Sequence, residues 1–238
     1  MNMDEPDEHN FWTNIDASDY QDRWIISGKG TTRDMWVGLA WEGIDPDRPF
    51  TLPDGTDFLD LLSEGRFSSI ADKVWLQADK KGRMEDVLWT CTMSYTAIST
   101  RLVKALKKFT PEGIQSWPLE VRSKRGEKLS DDYHLIVISP TASDDSPVRS
   151  FPYKDLPSAS FDVTSEVFDH LKEQGITGFS AEHGLDYIKT ARENEETERD
   201  WERKKATGDL TDYERELLEE ERQLIAEAEA YDRENPRP

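Results

Sequence analysis

Tyr133-His134-Leu135-Ile136-Val137-Ile138 reads as a strand with apolar residues in consecutive positions. A strand wetted on one face alternates apolar and polar residues, whereas one covered on both faces does not. This run therefore predicts a central strand in a covered sheet, and the rest of the chain must supply its neighbours and covering layers.

Two segments have the pattern of covering helices. Ser99 can cap a helix running to about Phe109, with Leu102, Val103 and Leu106 on its apolar side. Thr164 can cap a second through Glu173, with Val167, Phe168 and Leu171 buried and Gly175 ending it. The two match: Ser99-x-x-Leu102-Val103-x-x-Leu106-Lys107 against Thr164-x-x-Val167-Phe168-x-x-Leu171-Lys172, each reaching a Gly-Ile pair at Gly113-Ile114 and Gly175-Ile176. Any capped amphipathic helix entering a strand reads this way, so the pairing does not establish a duplication.

Further strands are expected at Arg23–Ser27, 35–41, 74–77, 87–95, 114–121 and 176–180. In the second of these Met35, Val37, Leu39 and Trp41 share one side and Trp36, Gly38 and Ala40 the other. Gly28, Lys29, Gly30 and Thr31 read as the turn of a hairpin joining the first two strands. Asp57 can start a short helix through Leu62. The expected fold class is α+β: a mixed or antiparallel sheet with a few packed helices, plus a C-terminal acidic helical hairpin. The expected domains are a disordered acidic tail over 1–10, an α+β core over 11–185 and a charged helical hairpin over 186–238. In the hairpin, Thr211 and Glu214 form a capping box, and Tyr213, Leu217, Leu224, Ala228 and Tyr231 make one apolar stripe. That stripe is expected to pack on the core, with a partner as the alternative.

The chain has 238 residues and a net charge of -20. Eight Trp, nine Phe and seven Tyr require a real core or interface to bury them. The negative excess falls in the first 62 residues and from Asp186 onward, leaving the middle nearly balanced. Such a surface repels phosphates and anionic lipid, so neither direct nucleic-acid binding nor membrane binding is expected. A basic protein partner or mimicry of a nucleic acid is favoured; solubility alone is the other reading of the charge. Cys91 is the single cysteine, so no intramolecular disulfide or thiol cluster can form, and it is expected to be a small core residue. The first ten residues lack an apolar signal region, and no run nears the ~18 apolar residues of a membrane span. A cytoplasmic location is expected.

No motif assigns a catalytic, cofactor-binding or metal-binding residue, and no cofactor is expected. Gly28-Lys29-Gly30-Thr31-Thr32 lacks the spacing of a phosphate loop. Gly178-Phe179-Ser180-Ala181-Glu182 has Glu where a nucleophile elbow needs its second glycine. Asp131-Asp132 and Asp144-Asp145 belong to solvated loops in so acidic a chain. The histidines are His9, His134, His170 and His183. An enzyme reading would place an unrecognised site around Tyr133, His134 and His183.

The middle of the chain, roughly 93–182, resembles a bacterial immunity-protein family encoded beside polymorphic toxins. The resemblance rests on Ile98-Ser99-Thr100-Arg101-Leu102-Val103, Trp117-Pro118-Leu119-Glu120-Val121, the 133–138 run and Gly175-Ile176-Thr177-Gly178-Phe179. The Trp-rich first part matches only loosely, and the acidic hairpin looks like an addition. The resemblance implies an α+β domain that binds and neutralises a cognate toxin without catalysis or a required cofactor; it supplies no residue-level site. The alternative is a phage-like or mobile-element inhibitor, or a nucleic-acid mimic, that blocks a bacterial defence or nucleic-acid-binding protein. For either binder, Trp12, Trp36, Trp41, Trp117 and Trp201 are candidate aromatic anchors, because Trp is favoured at hot spots, and Glu219 and Glu220 are candidate acidic contacts.

Overall fold

The computed structural model describes residues 11–44, 50–90, 95–138, 145–151 and 160–234. The expectations for the 1–10 tail and for His9, Cys91 and Asp144 lie outside these residues.

The 133–138 run ends β7 (Lys128–Ile138), which pairs antiparallel with β5 (Thr96–Ser99) on one edge and β6 (Ile114–Arg122) on the other. With β2 (Trp36–Trp41), β3 (Val74–Lys80) and β4 (Val87–Thr90) these strands close a six-stranded barrel in the order β2-β3-β6-β7-β5-β4. The barrel is mixed: β2 with β4 and β3 with β6 are parallel. A second, four-stranded antiparallel sheet has the order β10-β1-β9-β8, from β1 (Arg23–Ser27), β8 (Val148–Phe151), β9 (Ser160–Thr164) and β10 (Ser180–His183). The fold is α+β.

The continuous apolar run is explained by two cores sharing one wall. Tyr133, Leu135 and Val137 join Val37, Leu76, Leu88, Ala97, Leu119 and others in the barrel's core. The α2 helix (Phe58–Ser63), capped by Asp57 as expected, adds Phe58, Leu61 and Leu62 to it. Ile136 and Ile138 belong instead to a second core. There they meet α3 (Thr100–Leu106), α4 (Ser165–Glu173) and Ile26, Phe161 and Val163 of the four-stranded sheet. Period-two geometry sends alternate residues from Leu135 to Ile138 to the two cores, so neither face of this end of β7 has a reason to be polar.

Both helices leave directly from a strand end. Ser99 closes β5, and its Oγ accepts the Leu102 amide at 3.3 Å. Thr164 closes β9 and has the extended backbone of a cap, yet its side chain makes no capping bond. The matching sequence units are thus two strand-to-helix units placed in different sheets. The first helix stops at Leu106, short of Phe109, where the amides of Phe109 and Thr110 both turn back to the Leu106 carbonyl.

The hairpin expected around Gly28 and Gly30 is not formed. β1 and β2 lie in different sheets, and the intervening chain crosses between them. Neither glycine has the positive φ that a two-residue hairpin turn demands. They are small because Trp89 is close: a Cβ on Gly28 would lie 2.7 Å from Trp89 Cα, and one on Gly30 3.0 Å from Trp89 Nε1. The extended segment expected over 176–180 becomes a strand only at Ser180.

The residues group into two units. One, Asp16–Ile188, contains both sheets; the other joins the segment ending at Ile15 to Lys189–Pro238. In the second, Glu195 accepts the amides of Trp12 and Thr13 at 3.0 and 2.9 Å, the first turn of α1 (Phe11–Asn14). A carboxylate there satisfies amides that have no partner within the helix. The C-terminal part consists of α5 (Gly184–Thr207) and α6 (Asp212–Glu234), joined through Gly208 at φ 73.

Candidate functional site

α6 begins at the expected capping box. The Thr211 amide and hydroxyl both donate to Glu214 Oε2, at 2.8 and 2.7 Å, and the Glu214 amide returns a bond to Thr211 Oγ1 at 3.2 Å. Lys204 of α5 adds a 2.9 Å ion pair to Glu214. Together the Lys204 and Thr211 donors hold the Glu214 carboxyl down at about 2.

From that start the helix presents an uncovered stripe. Tyr213, Leu217 and Leu224 are 68%, 41% and 67% exposed. At about 100° per residue they fall within about 40° of arc, a narrow seam. Within α5 and α6 nothing covers these three side chains; the other two residues of the expected stripe, Ala228 and Tyr231, have side chains outside the described ones. On one border of the seam lie Glu220, Glu227 and Glu216, all exposed. Arg215, Arg222 and Glu219 lie roughly opposite, about 140–180° away around the helix. Of the two acidic candidates, Glu220 borders the stripe and Glu219 does not.

The five tryptophan candidates separate by burial. Trp41 and Trp117 are buried in the barrel core and are not surface anchors. Trp41 stacks on Phe58, and Trp117 packs on Phe67 and donates its Nε1 to Ser68 Oγ at 2.8 Å. Alternation along β2 and β6 points both inward, for the same reason that it buries Val37 and Leu119. Trp12 is half-buried in α1, its carbonyl accepting from Arg192 at 3.0 Å. Trp201 is half-buried on α5 beneath the Lys205 ammonium, 5.3 Å from the ring centre.

Trp36 is half-buried in a row across three strands. It pairs in register with Trp89 on one side, ring centres 4.5 Å apart, and with Lys80 on the other. The Lys80 ammonium sits 4.7 Å from the Trp36 ring centre.

The buried carboxylates hold the fold. Asp86 accepts from Ser99 Oγ at 2.7 Å, from Arg101 Nε and Nη2 at 2.6 and 2.7 Å, and from the Gly178 amide at 3.0 Å. Burial pushes its carboxyl up, but the Arg101, Ser99 and Gly178 donors outweigh this and hold it below the usual aspartate value. Asp162, fully buried on β9, is clamped between Arg23 and Arg149, with Arg149 Nε at 2.8 Å. Burial pushes Asp162 up against the pull of the two guanidiniums. Asp34 pairs with Arg83 at 2.8 Å where the two segments form a parallel bridge. Sequence reasoning named none of these, because one Asp among 50 acidic residues carries no signal of its own.

Tyr133, His134 and His183 are not brought together. Tyr133 points into the barrel core and donates to the Glu85 carbonyl at 2.8 Å, whereas its neighbour His134 has the opposite face of β7. Burial, then Lys107, holds His134 below the usual imidazole value. His183 lies on β10 with its ring edge on Trp24, at 5.3 Å. Among the described residues no group of three or more His, Cys, Asp or Glu is placed to hold a metal ion. Among them, too, no helix is long and apolar enough to cross a membrane. No family model matches the chain, and no curated protein matches it.

Proposed function

We propose that the protein is a non-catalytic binding protein of the toxin-immunity kind, which neutralises a cognate basic bacterial toxin by direct contact. The observation that carries the reading is α6: ten carboxylates against three arginines, with Glu216, Glu219, Glu220 and Glu227 exposed along it. A surface of this sign accelerates encounter with a basic partner and repels acidic ones, an effect that fades as salt screens it. The motifs behind the immunity-family resemblance serve the scaffold: Ser99, Leu102 and Gly178 hold α3 and its neighbours in place. Partner choice then falls to the acidic flanks.

The test is co-purification of the full chain with the toxin encoded beside it, repeated across salt concentration, together with the toxin's activity. The expected result is inhibition, with an association rate that falls steeply with salt. A toxin that stays active with the chain in excess would sink the immunity reading. Equal salt slopes for wild type and a Glu216→Gln, Glu219→Gln, Glu220→Gln triple variant would remove α6 from it.

A further inference from the structure

We infer that α6 packs lengthwise against a single basic amphipathic helix presented by the partner, with Tyr213, Leu217 and Leu224 as its anchors. The inference rests on the reading above that the partner is basic, and adds the shape of what is recognised.

Three observations lead to it. The exposed large apolar side chains of α6, Tyr213, Leu217 and Leu224, fall within about 40° of arc, a line that another helix can cover along its length. The seam's anchors recur at four and seven residues, the repeat with which two helices stay in contact along their length. Its border is acidic through Glu216, Glu220 and Glu227, while Arg215 and Arg222 lie on the far side. A partner helix with lysines or arginines flanking an apolar strip meets opposite charge along this border. A second copy of α6 would instead set carboxylates against carboxylates, which disfavours self-pairing through this face.

The stripe is also surplus to the fold of its own helix. The capping box, the Lys204–Glu214 pair and the buried Leu210 fix where α6 starts, and none of them uses Tyr213, Leu217 or Leu224. Leaving such side chains in water forfeits the gain of burying them, so their retention calls for a cover.

The test uses the full-length protein and two fluorescent peptides of equal charge. One is two copies of Leu-Lys-Lys-Leu-Leu-Lys-Leu, apolar and basic on opposite faces as a helix; the other is an oligolysine. The expected result is that the amphipathic peptide binds about tenfold or more tightly than oligolysine, a difference of about 1.4 kcal/mol. The Leu217→Ala, Leu224→Ala double variant should lose that margin while keeping its oligolysine affinity. Alanine is the better helix former, so α6 itself survives the change. Glu220→Gln should weaken the amphipathic peptide more than Glu219→Gln does.

Amphipathic binding unchanged in the double variant would overturn the inference and leave the basic-partner reading standing. So would a wild-type dimer in sedimentation that the double variant converts to monomer, because a second copy would then be the cover. Failure of both peptides to bind at low salt would overturn the inference and the basic-partner reading together.

Discussion

The Gly178 amide donates a 3.0 Å hydrogen bond to the buried carboxylate of Asp86, and the Gly178 carbonyl accepts the amide of Val87 at 2.9 Å. One glycine thereby fastens the segment leading into β10 to the start of β4. A Cβ on it would lie 2.4 Å from the Asp86 amide nitrogen, which is backbone and cannot swing away. Gly178→Ala is expected to destabilise by about 1–3 kcal/mol, the usual range for overpacking a rigid site, read from urea unfolding. Asp86→Ala strands two buried donors, Ser99 Oγ and the Gly178 amide, at about 1–3 kcal/mol each. Arg101→Ala should cost less than either, because that side chain is 60% exposed and its charge is screened by water. Equal losses for Arg101→Ala and Asp86→Ala would show that the ion pair alone matters at this site.

The same carboxylate sets a pH dependence. Its folded-state pKa lies below the usual value, through the Arg101, Ser99 and Gly178 donors that outweigh burial. A depressed carboxylate stabilises above its unfolded value and loses that contribution as pH falls through the folded one. Asp86→Asn should therefore be less stable than wild type at neutral pH, with the gap closing below about pH 4 as the wild-type carboxyl protonates. Asp162, whose pKa burial raises, runs the opposite way, so the difference between the two proteins is the quantity to measure. A gap that stays constant down to pH 3 would contradict the assignment.

The parts of the fold legible in the sequence are those written as periodicity. β7 is legible because alternation disappears where both faces are covered, and α3 because Ser99 precedes a helical apolar pattern. Barrel closure is not legible: the parallel pairings of β2 with β4 and β3 with β6 join segments whose spacing encodes no partner. At Gly28 the sequence suggests conformational freedom, whereas the structure uses the glycine's lack of a side chain. The stripe on α6 is legible as a stripe, but amphipathic spacing reports only that a face wants cover and not which surface supplies it.

Gly28 allows that distinction to be tested. A turn glycine replaced by alanine suffers backbone strain, whereas a contact glycine suffers a clash. Here the clash is with Trp89 Cα, and φ is not positive. Gly28→Ala should destabilise by about 1–3 kcal/mol. Gly55→Ala, at φ 86 with open space around it, should cost about 1 kcal/mol through backbone strain alone. Near-UV circular dichroism should change for Gly28→Ala and not for Gly55→Ala, since only the former displaces a tryptophan.

The tryptophans should divide in the same manner. Trp41→Ala and Trp117→Ala remove barrel-core side chains and are expected to cost about 3–5 kcal/mol each. Trp201→Ala, on a charged helix under Lys205, should stay within about 1 kcal/mol. If Trp201 proves as costly as Trp117, it is a folding residue and is removed as a partner contact.

α6 should respond to its cap independently of the barrel. Thr211 and Glu214 exchange three hydrogen bonds, and Lys204 adds the ion pair that helps hold Glu214 at about 2. A depressed carboxylate contributes above its unfolded value and loses that contribution as pH falls toward 2. Thr211→Ala and Glu214→Gln should each lower the helical signal and speed amide exchange at the start of α6. Exchange in β7 should be untouched, because no residue of the box lies in either sheet core. The two variants should also weaken the amphipathic peptide without changing the seam itself, since a frayed first turn no longer holds Tyr213 in line with Leu217 and Leu224. Peptide affinity indifferent to a frayed α6 would mean that the anchors act as separate apolar groups and not as one helical edge.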